Sequence, residues 1–377
     1  MKRGITLKLG YADTAIYQCP KCAPPQKYYT KAIAPGLRCK YCGSKLEFIR
    51  KISFVDVPGH ELLMTIMLAG ATLMDGVIFV IDATQDCPQP QTREHFMALT
   101  IIGVRKIIIV QNKIDVAGRE QVLKNYKQIK DFIKGTWAEN APIIPMSALH
   151  KVNLDVLIQA MQEVFPTPKR DPNLSPLMYV ARSFDVNKPG TTPEKLKGGV
   201  IGGTIIQGKF KVGDEIEIRP GLRIIEKGRV KFRPLFTEII SLKSGDEFLD
   251  EAYPGGLIGV GTRLDPSITK ADGLMGNVVG LPGKLPPVRM DLKLEVHLLK
   301  RVVGTRDLRR VEPIRKNETL ALNIGTAATL GIVSSIKSNE THIQLKFPIC
   351  VDIGNRVAIS RRVLGHWRLI GYGTVIG

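Results

Sequence analysis

The chain has 377 residues, enough for two or three domains, each with its own core. Lys and Arg number 54 against 35 Asp and Glu, and the resulting net charge of +19 favours a polyanionic partner, usually nucleic acid. No apolar run approaches the ~20 residues of a membrane-spanning helix, and the opening MKRGITLKLG has no secretory h-region, so a cytoplasmic protein without a membrane partner is expected.

The first chemical feature is a set of cysteines. Cys19 and Cys22 form CPKC, Cys39 and Cys42 form CKYC, and sixteen residues separate the pairs. A C-x2-C turn aims two thiolates at one point, and two such turns fill all four positions of a tetrahedral, structural Zn2+ site. Cys87 and Cys350 read as ordinary thiols.

From 43 to 165 strands and helices alternate. FIRKISFVDV is a strand ending at Asp56, HELLMTIMLAGATLM a helix, GVIFVIDA a buried strand, and QTREHFMALTIIG a helix closed by Gly103. VRKIIIVQNKID is a β-branched strand, REQVLKNYKQIKDFIKGTW an amphipathic helix, APIIPMSAL a strand, and NLDVLIQAMQEVF a helix that Asn153 can cap. This order predicts a parallel sheet covered on both faces, with ligands at the carboxyl ends of its strands. PTPKRDPNLSPL, at 166 to 177, reads as a linker. Short strands between Gly and Pro turns then predict two β-barrels, parted by a second break at VVGLPGKLPPV. The expected units are 1–170 with a knuckle at 19–42, 171–284 and 285–377.

Three strand ends carry polar residues suited to a guanine nucleotide. In Asn112-Lys113-Ile114-Asp115 the Asp can accept both N1–H and N2–H2 of guanine, which adenine cannot match, while the Asn braces the loop and the Lys stem lies along the base. Ser147-Ala148-Leu149 lets the backbone approach the guanine carbonyl. Asp56 suits a Mg2+ held through water, the Gly59 N–H a terminal phosphate, and His60 an attacking water; Thr6 offers a hydroxyl to the same Mg2+. Taken singly, each reads equally as a helix cap, a core histidine or an ordinary strand-to-helix junction. Their joint order argues for a guanine-nucleotide site.

RGIT, DVPGH, NKID and SAL in this order resemble a translational GTPase. PQPQTREHFMALTIIGV, KGTWAENAPIIP, RSFDVNKPGT and WRLIGYG, with the two-pair knuckle, are similar to the gamma subunits of archaeal translation initiation factor two, across essentially residues 2–377. The resemblance implies a P-loop-type α/β G domain followed by two all-β barrels, GTP and GDP with Mg2+, and GTP hydrolysis near His60. It also implies binding of initiator methionyl-tRNA, delivery to the small ribosomal subunit, and a heterotrimer with alpha and beta subunits, alpha on the first barrel and beta on the G domain. Arg182, Arg219, Arg361, Arg362 and Arg368 are candidate phosphate partners of the tRNA.

Members of that family carry a strand, a phosphate loop and a helix ahead of the first switch, whereas this sequence opens at Met1 just before Lys2-Arg3-Gly4-Ile5-Thr6. The expectation is a misplaced start or fragment of an ordinary factor; the chain as written would bind GTP poorly and hydrolyse none. GTIIQGKF, Gly203 to Phe210, imitates a phosphate loop but lies between barrel strands and has no Ser or Thr after Lys209. The competing readings are a nucleotide-free scaffold subunit, a zinc-bearing RNA-binding adaptor, and the selenocysteine-specific elongation factor. The last typically lacks the zinc insertion and carries a further C-terminal domain.

Overall fold

The computed structural model describes residues 9–57, 68, 73–299, 310–338 and 340–377. Thr6, Gly59 and His60 lie outside the described residues, as does most of the helix expected from His60 onward.

The first third contains two small sheets. β1 (Gly10–Gln18) pairs antiparallel with β2 (Tyr28–Thr30) on one side and β3 (Glu47–Asp56) on the other. β4 (Val77–Asp82), β5 (Ile107–Asn112) and β6 (Ile143–Pro145) form a parallel sheet in the order β4-β5-β6. The connections are α1 (Pro90–Ile102), α2 (Arg119–Ile133) and, after β6, α3 (Leu154–Val164).

β5 shows why this layer forms. Its run of β-branched residues is buried on both faces, as a central parallel strand must be. With side chains alternating at period two, Ile107 and Ile109 join Phe96, Ile129 and Ile133 beneath α1 and α2. Ile108 and Val110 join Leu157, Ile158 and Met161 beneath α3. α1 starts at a proline whose missing N–H costs nothing there, and it stops at Gly103, in the left-handed region at φ 90°.

Two expectations are corrected here. The strand ending at Asp56 was expected in the parallel sheet, but its recorded pairing is antiparallel with β1; the two strands share an apolar face that packs with α3. Asn153 precedes α3 but does not cap it. Its φ is 58°, and its Nδ2 donates instead to the Pro145 carbonyl at 2.7 Å, so the amide ties the helix start to the end of β6.

The first barrel uses β7 (Leu177–Phe184), β8 (Val200–Gln207), β10 (Glu215–Glu226), β11 (Arg229–Ser244), β14 (Ile258–Thr262) and β15 (Val278–Gly280). Their order is β10-β15-β7-β8-β14-β11, and pairing of β10 with β11 closes the ring. β12 (Glu247–Leu249) extends β11, and β9 (Phe210–Lys211) pairs with β13 (Glu251–Ala252). β15 falls inside the stretch expected to be a break: Val278, Val279 and Gly280 are all buried and close the barrel against β7 and β10. The second barrel closes in the order β16 (Val288–Leu298), β19 (Glu340–Cys350), β18 (Ala327–Lys337), β17 (Thr319–Ile324), β20 (Arg356–Val363), β21 (His366–Val375). Each barrel has its own aliphatic core.

The layers are joined by specific contacts. Arg356 Nη1 donates to the Ile101 carbonyl at 3.0 Å, and Arg368 Nη1 meets Glu94 Oε2 at 3.0 Å, both tying α1 to the second barrel. Lys51 of β3 reaches the Ser244 carbonyl and Glu247, and Leu257 N donates to Ser53 Oγ, linking β3 to the first barrel. Among the described residues no helix is long and apolar enough to cross a membrane.

Candidate nucleotide and metal sites

At the carboxyl end of the parallel sheet, β5 hands over to a loop in which Lys113 has φ 66° and its carbonyl accepts from Val116 N and Ala117 N. That tight turn carries Asn112 and Asp115 together at the carboxyl end of the strand. Asn112 Oδ1 accepts from Ala148 N at 3.0 Å, fastening this loop to the one after β6. Asp115 bonds the Ser147 hydroxyl, which first of all holds its carboxyl below the usual carboxylate range. Ser147 is fully buried, and its oxygen also accepts from His150 N, while Ala148 and Leu149 are exposed at the rim. His150 Nε2 stands 3.7 Å from Asp115 Oδ2. Thus five of the expected base-binding residues, Asn112, Lys113, Asp115, Ser147 and Ala148, converge, with Leu149 beside them.

Three participants escape sequence reading. Asp82, at the end of β4, meets Lys113 Nζ at 2.6 Å and accepts from Thr84 N and Oγ1. Burial works to raise its pKa, but the bonds from Lys113 and Thr84 outweigh this and hold it below the ordinary range. Gln111 and Asn125 form a buried pair at 2.8 Å, with Gln111 also bonding the Val122 carbonyl and Asn125 the Gln85 carbonyl. This network fixes α2 to the loop after β4. The available signal was a polar residue inside each apolar face, which costs free energy unless fully bonded.

Asp56 closes β3 opposite Gly10; a side chain at Gly10 would bring its Cβ within 3.2 Å of the Asp56 Cβ, so the glycine leaves the carboxylate room. Gly203 has a packing reason instead of a phosphate: it lies in β8, and a Cβ there would come within 1.9 Å of the Tyr179 carbonyl.

The four cysteines form a second site. Cys19 Sγ and Cys42 Sγ are 3.4 Å apart, and Cys22 Sγ lies 3.6 Å from both Cys39 and Cys42. These separations exceed any disulfide and approach the ~3.8 Å expected between thiolates at ~2.3 Å from a tetrahedral Zn2+. Burial raises the Cys39 pKa, but hydrogen bonds from Tyr29 and the backbone amides of Cys42 and Tyr41 prevail and bring it to about 6. Cys22 goes the other way, to about 12, first through its bond with Cys39. Thiols this close cannot all ionise unless a cation neutralises them, so the donor set fits Zn2+. Tyr17, Tyr29, Ala34 and Leu46 give the knuckle its own small core. Cys87 and Cys350 are buried far from such partners, and burial pushes their thiols up to about 11 and about 12.

Four of the five arginines expected on tRNA phosphates are engaged within the protein. Arg182 pairs with Asp272 at 2.7 Å, Arg219 with Glu217 at 2.5 Å, Arg361 with Glu318, and Arg368 with Glu94. Arg362 is exposed, with its Nε donating to the Gly365 carbonyl.

Residues 1–167 match the family described as Elongation factor Tu GTP binding domain, 198–270 match Elongation factor Tu domain 2, and 290–375 match Initiation factor eIF2 gamma, C terminal. The Translation initiation factor 2 subunit gamma of Pyrococcus horikoshii is 60% identical over 375 residues, covering 100% of this chain and 89% of that protein. The chain belongs to the initiation factor 2 gamma-subunit family. The Methanocaldococcus jannaschii gamma subunit is 58% identical over 377 residues, 90% of its length. Among solved structures, the bacterial selenocysteine-specific elongation factor EF-Sec aligns over 99% of this chain and 52% of its own, with TM-score 0.72 at 18% identity. Elongation factor SelB of Methanococcus maripaludis with a GTP analogue aligns over 86% of this chain and 70% of its own, with TM-score 0.68 at 22% identity. Those two share the fold, a G domain followed by two six-stranded barrels. Membership of the gamma-subunit family makes this a translational GTPase family protein of translation initiation, with GTP or GDP and Mg2+ as the ligands the family implies.

Proposed function

We propose that the chain is the guanine-nucleotide subunit of an initiation factor that binds initiator methionyl-tRNA in its GTP state and brings it to the small ribosomal subunit in the cytoplasm. Residues 1–170 serve as the G domain, 171–284 as the first barrel and 285–377 as the second. The relatives' designation as one subunit of a larger factor supports alpha and beta partners, alpha on the first barrel and beta on the G domain.

The observation that carries the reading is the closed base loop: Asn112 bonded to Ala148, Asp115 to Ser147, and Lys113 clasped to Asp82. This pre-organises an acceptor carboxylate for the two guanine donors, and the Lys113 stem for the ring face. Thr6 and Asp56 supply oxygen donors for Mg2+, which would neutralise charge on the phosphates. Gly59 offers its N–H to the terminal phosphate, and His60 orients the attacking water. Loss of the terminal phosphate removes what orders these segments, and tRNA is released.

Base specificity tests this reading. In Asp115→Asn the acceptors that receive N1–H and N2–H2 are replaced by an amide that can donate to a 2-oxo group. Guanosine nucleotides are expected to lose most of their preference, on the order of 10^4-fold, over xanthosine nucleotides. Equal discrimination in wild type and variant would overturn the assignment.

A further inference from the structure

The basic surplus is unevenly spread, and the knuckle is a dense stretch of it. From Cys19 to Leu46 the chain has six Lys or Arg, namely Lys21, Lys27, Lys31, Arg38, Lys40 and Lys45, and no Asp or Glu. A Zn2+ held by four thiolates would carry two negative charges, so about four positive ones stay uncompensated. All but Lys27 are exposed, and none of the six makes an ion pair among the described residues. In the barrels, by contrast, Arg182, Arg219 and Arg361 each meet a carboxylate.

Half of these cations share one short hairpin. Arg38 and Lys45 are antiparallel bridge partners, and the CKYC turn between them carries Lys40 and Tyr41. Its backbone is closed by bonds from Cys39 N to the Ser44 carbonyl at 2.8 Å, Gly43 N to the Cys39 carbonyl at 3.0 Å and Leu46 N to the Leu37 carbonyl at 2.9 Å. Like charges set opposite each other on paired strands repel, so this placement works against the hairpin unless an anion lies over it. Tyr41 is 63% exposed, whereas Tyr29 is buried and its hydroxyl is engaged with Cys39 Sγ. At the base of the knuckle Phe48 is 62% exposed, opposite Tyr17 in register and edge-on to its ring at 5.9 Å.

We propose that the knuckle is a contact surface for single-stranded RNA, with Arg38, Lys40 and Lys45 on phosphates and Tyr41 stacked on an unpaired base. Unpartnered cations beside exposed flat rings match the two things such a strand offers, a charged backbone and bare base faces. A duplex hides its base faces, and an acidic peptide would answer the cations but leave the rings in water. RNA is the polyanion that a protein of translation initiation meets. The β1–β3 register puts the knuckle at the opposite end of that ribbon from Asp56, so binding here needs no guanine nucleotide.

Fluorescence anisotropy tests this, using the whole zinc-loaded chain and a labelled single-stranded RNA of about 12 nucleotides and mixed sequence. Arg38→Gln with Lys45→Gln, both outside the cysteine pairs, should weaken binding on the order of tenfold. It should also flatten the slope of log affinity against log salt by about 1.4, two phosphate contacts at ~0.7 each. Tyr41→Ala should weaken binding roughly tenfold with the slope unchanged, and Tyr41→Phe should bind like wild type. Lys316→Gln with Lys337→Gln removes the same charge from exposed positions of the second barrel and should change affinity less than about twofold. Elemental analysis shows whether each variant keeps its zinc; if Tyr41→Ala loses it, Tyr41→Leu, which keeps the side chain's bulk, takes its place. Equal losses from the two charge pairs, or an affinity unmoved by removal of the Tyr41 ring, would overturn the proposal. So would duplex RNA of the same length binding as tightly, or an acidic peptide of equal charge displacing the RNA equally well, the latter pointing to a protein partner. All of this is measured without guanine nucleotide, so no outcome depends on the base loop.

Discussion

Arg368→Met interrogates the joint between α1 and the second barrel. Glu94 is fully buried, and the Arg368 side chain is 7% exposed, with N and O 3.0 Å apart. At that distance the attraction is roughly 5–6 kcal/mol for an effective dielectric of ~20, offset by the cost of burying both ions. Removing the guanidinium leaves the carboxylate in an apolar seam beside Phe96, Leu99 and Leu369, so a loss of about 3–5 kcal/mol is expected. Replacing both, as Glu94→Leu with Arg368→Met, should recover most of it, because the partner charge disappears as well. Denaturant unfolding followed by fluorescence suits the question: the two tryptophans are Trp137, stacked on Phe96, and Trp367, adjacent to Arg368. A loss under about 1 kcal/mol for Arg368→Met, or a double variant no better than the single one, would refute the idea that the cost of the single variant lies in a buried carboxylate deprived of its guanidinium.

Asp82→Asn should free Lys113 and weaken guanine-nucleotide binding roughly tenfold, read by titration with a fluorescent nucleotide, with unfolding stability changed by less than about 1 kcal/mol. Because the Asp82 pKa is depressed in the folded chain, the clasp contributes fully above the ordinary carboxylate pKa and is lost as pH falls below it; Lys113 should stay ordered at pH 6 and loosen in acid. Cys39→Ser should abolish stoichiometric zinc, expected at one ion per chain by elemental analysis, and selectively expose residues 19–46 to protease. Glu251, held first by Lys211 and then by Tyr253 and Lys209, should titrate near about 2 by NMR, so its contribution is present above the ordinary carboxylate range and fades as pH falls toward 2; Lys211→Met should raise that value.

The alternation of strand and helix around β5, and the two barrels, were legible because side-chain periodicity is imposed by burial. Ile107 to Val110 must face two helical layers, and the sequence says so residue by residue. β1 and β2 were not legible: GYADTAIYQ mixes exposed Ala12 and Asp13 with buried Ile16 and Tyr17, and only its pairing with β3 makes it a strand. β15 was masked by turn residues on both sides, since three residues are too short to show a period. In the nucleotide site, Asn112 and Asp115 carry their own spacing signal, but Asp82 depends on the spatial neighbour Lys113, thirty-one residues away in sequence. The carboxylate partners of Arg182, Arg219, Arg361 and Arg368 were not legible because charge counts do not reveal pairing; Asp272, Glu217, Glu318 and Glu94 are each distant in sequence or hidden in register.

The register of β1 on β3 has a geometric consequence. Gly10 lies opposite Asp56 at one end, and Gln18 opposite Glu47 at the other. Eight steps at about 3.3 Å make this ribbon roughly 26 Å long. The four-cysteine cluster therefore stands at one tip of this arm and the Asp56 carboxylate at the other, far beyond the ~8–10 Å over which exposed charges sense each other in salt. A cation taken up by these cysteines would leave the field at Asp56 unaltered. What it can change is where the outer end of the arm points, and so which surface it offers to anything docking alongside.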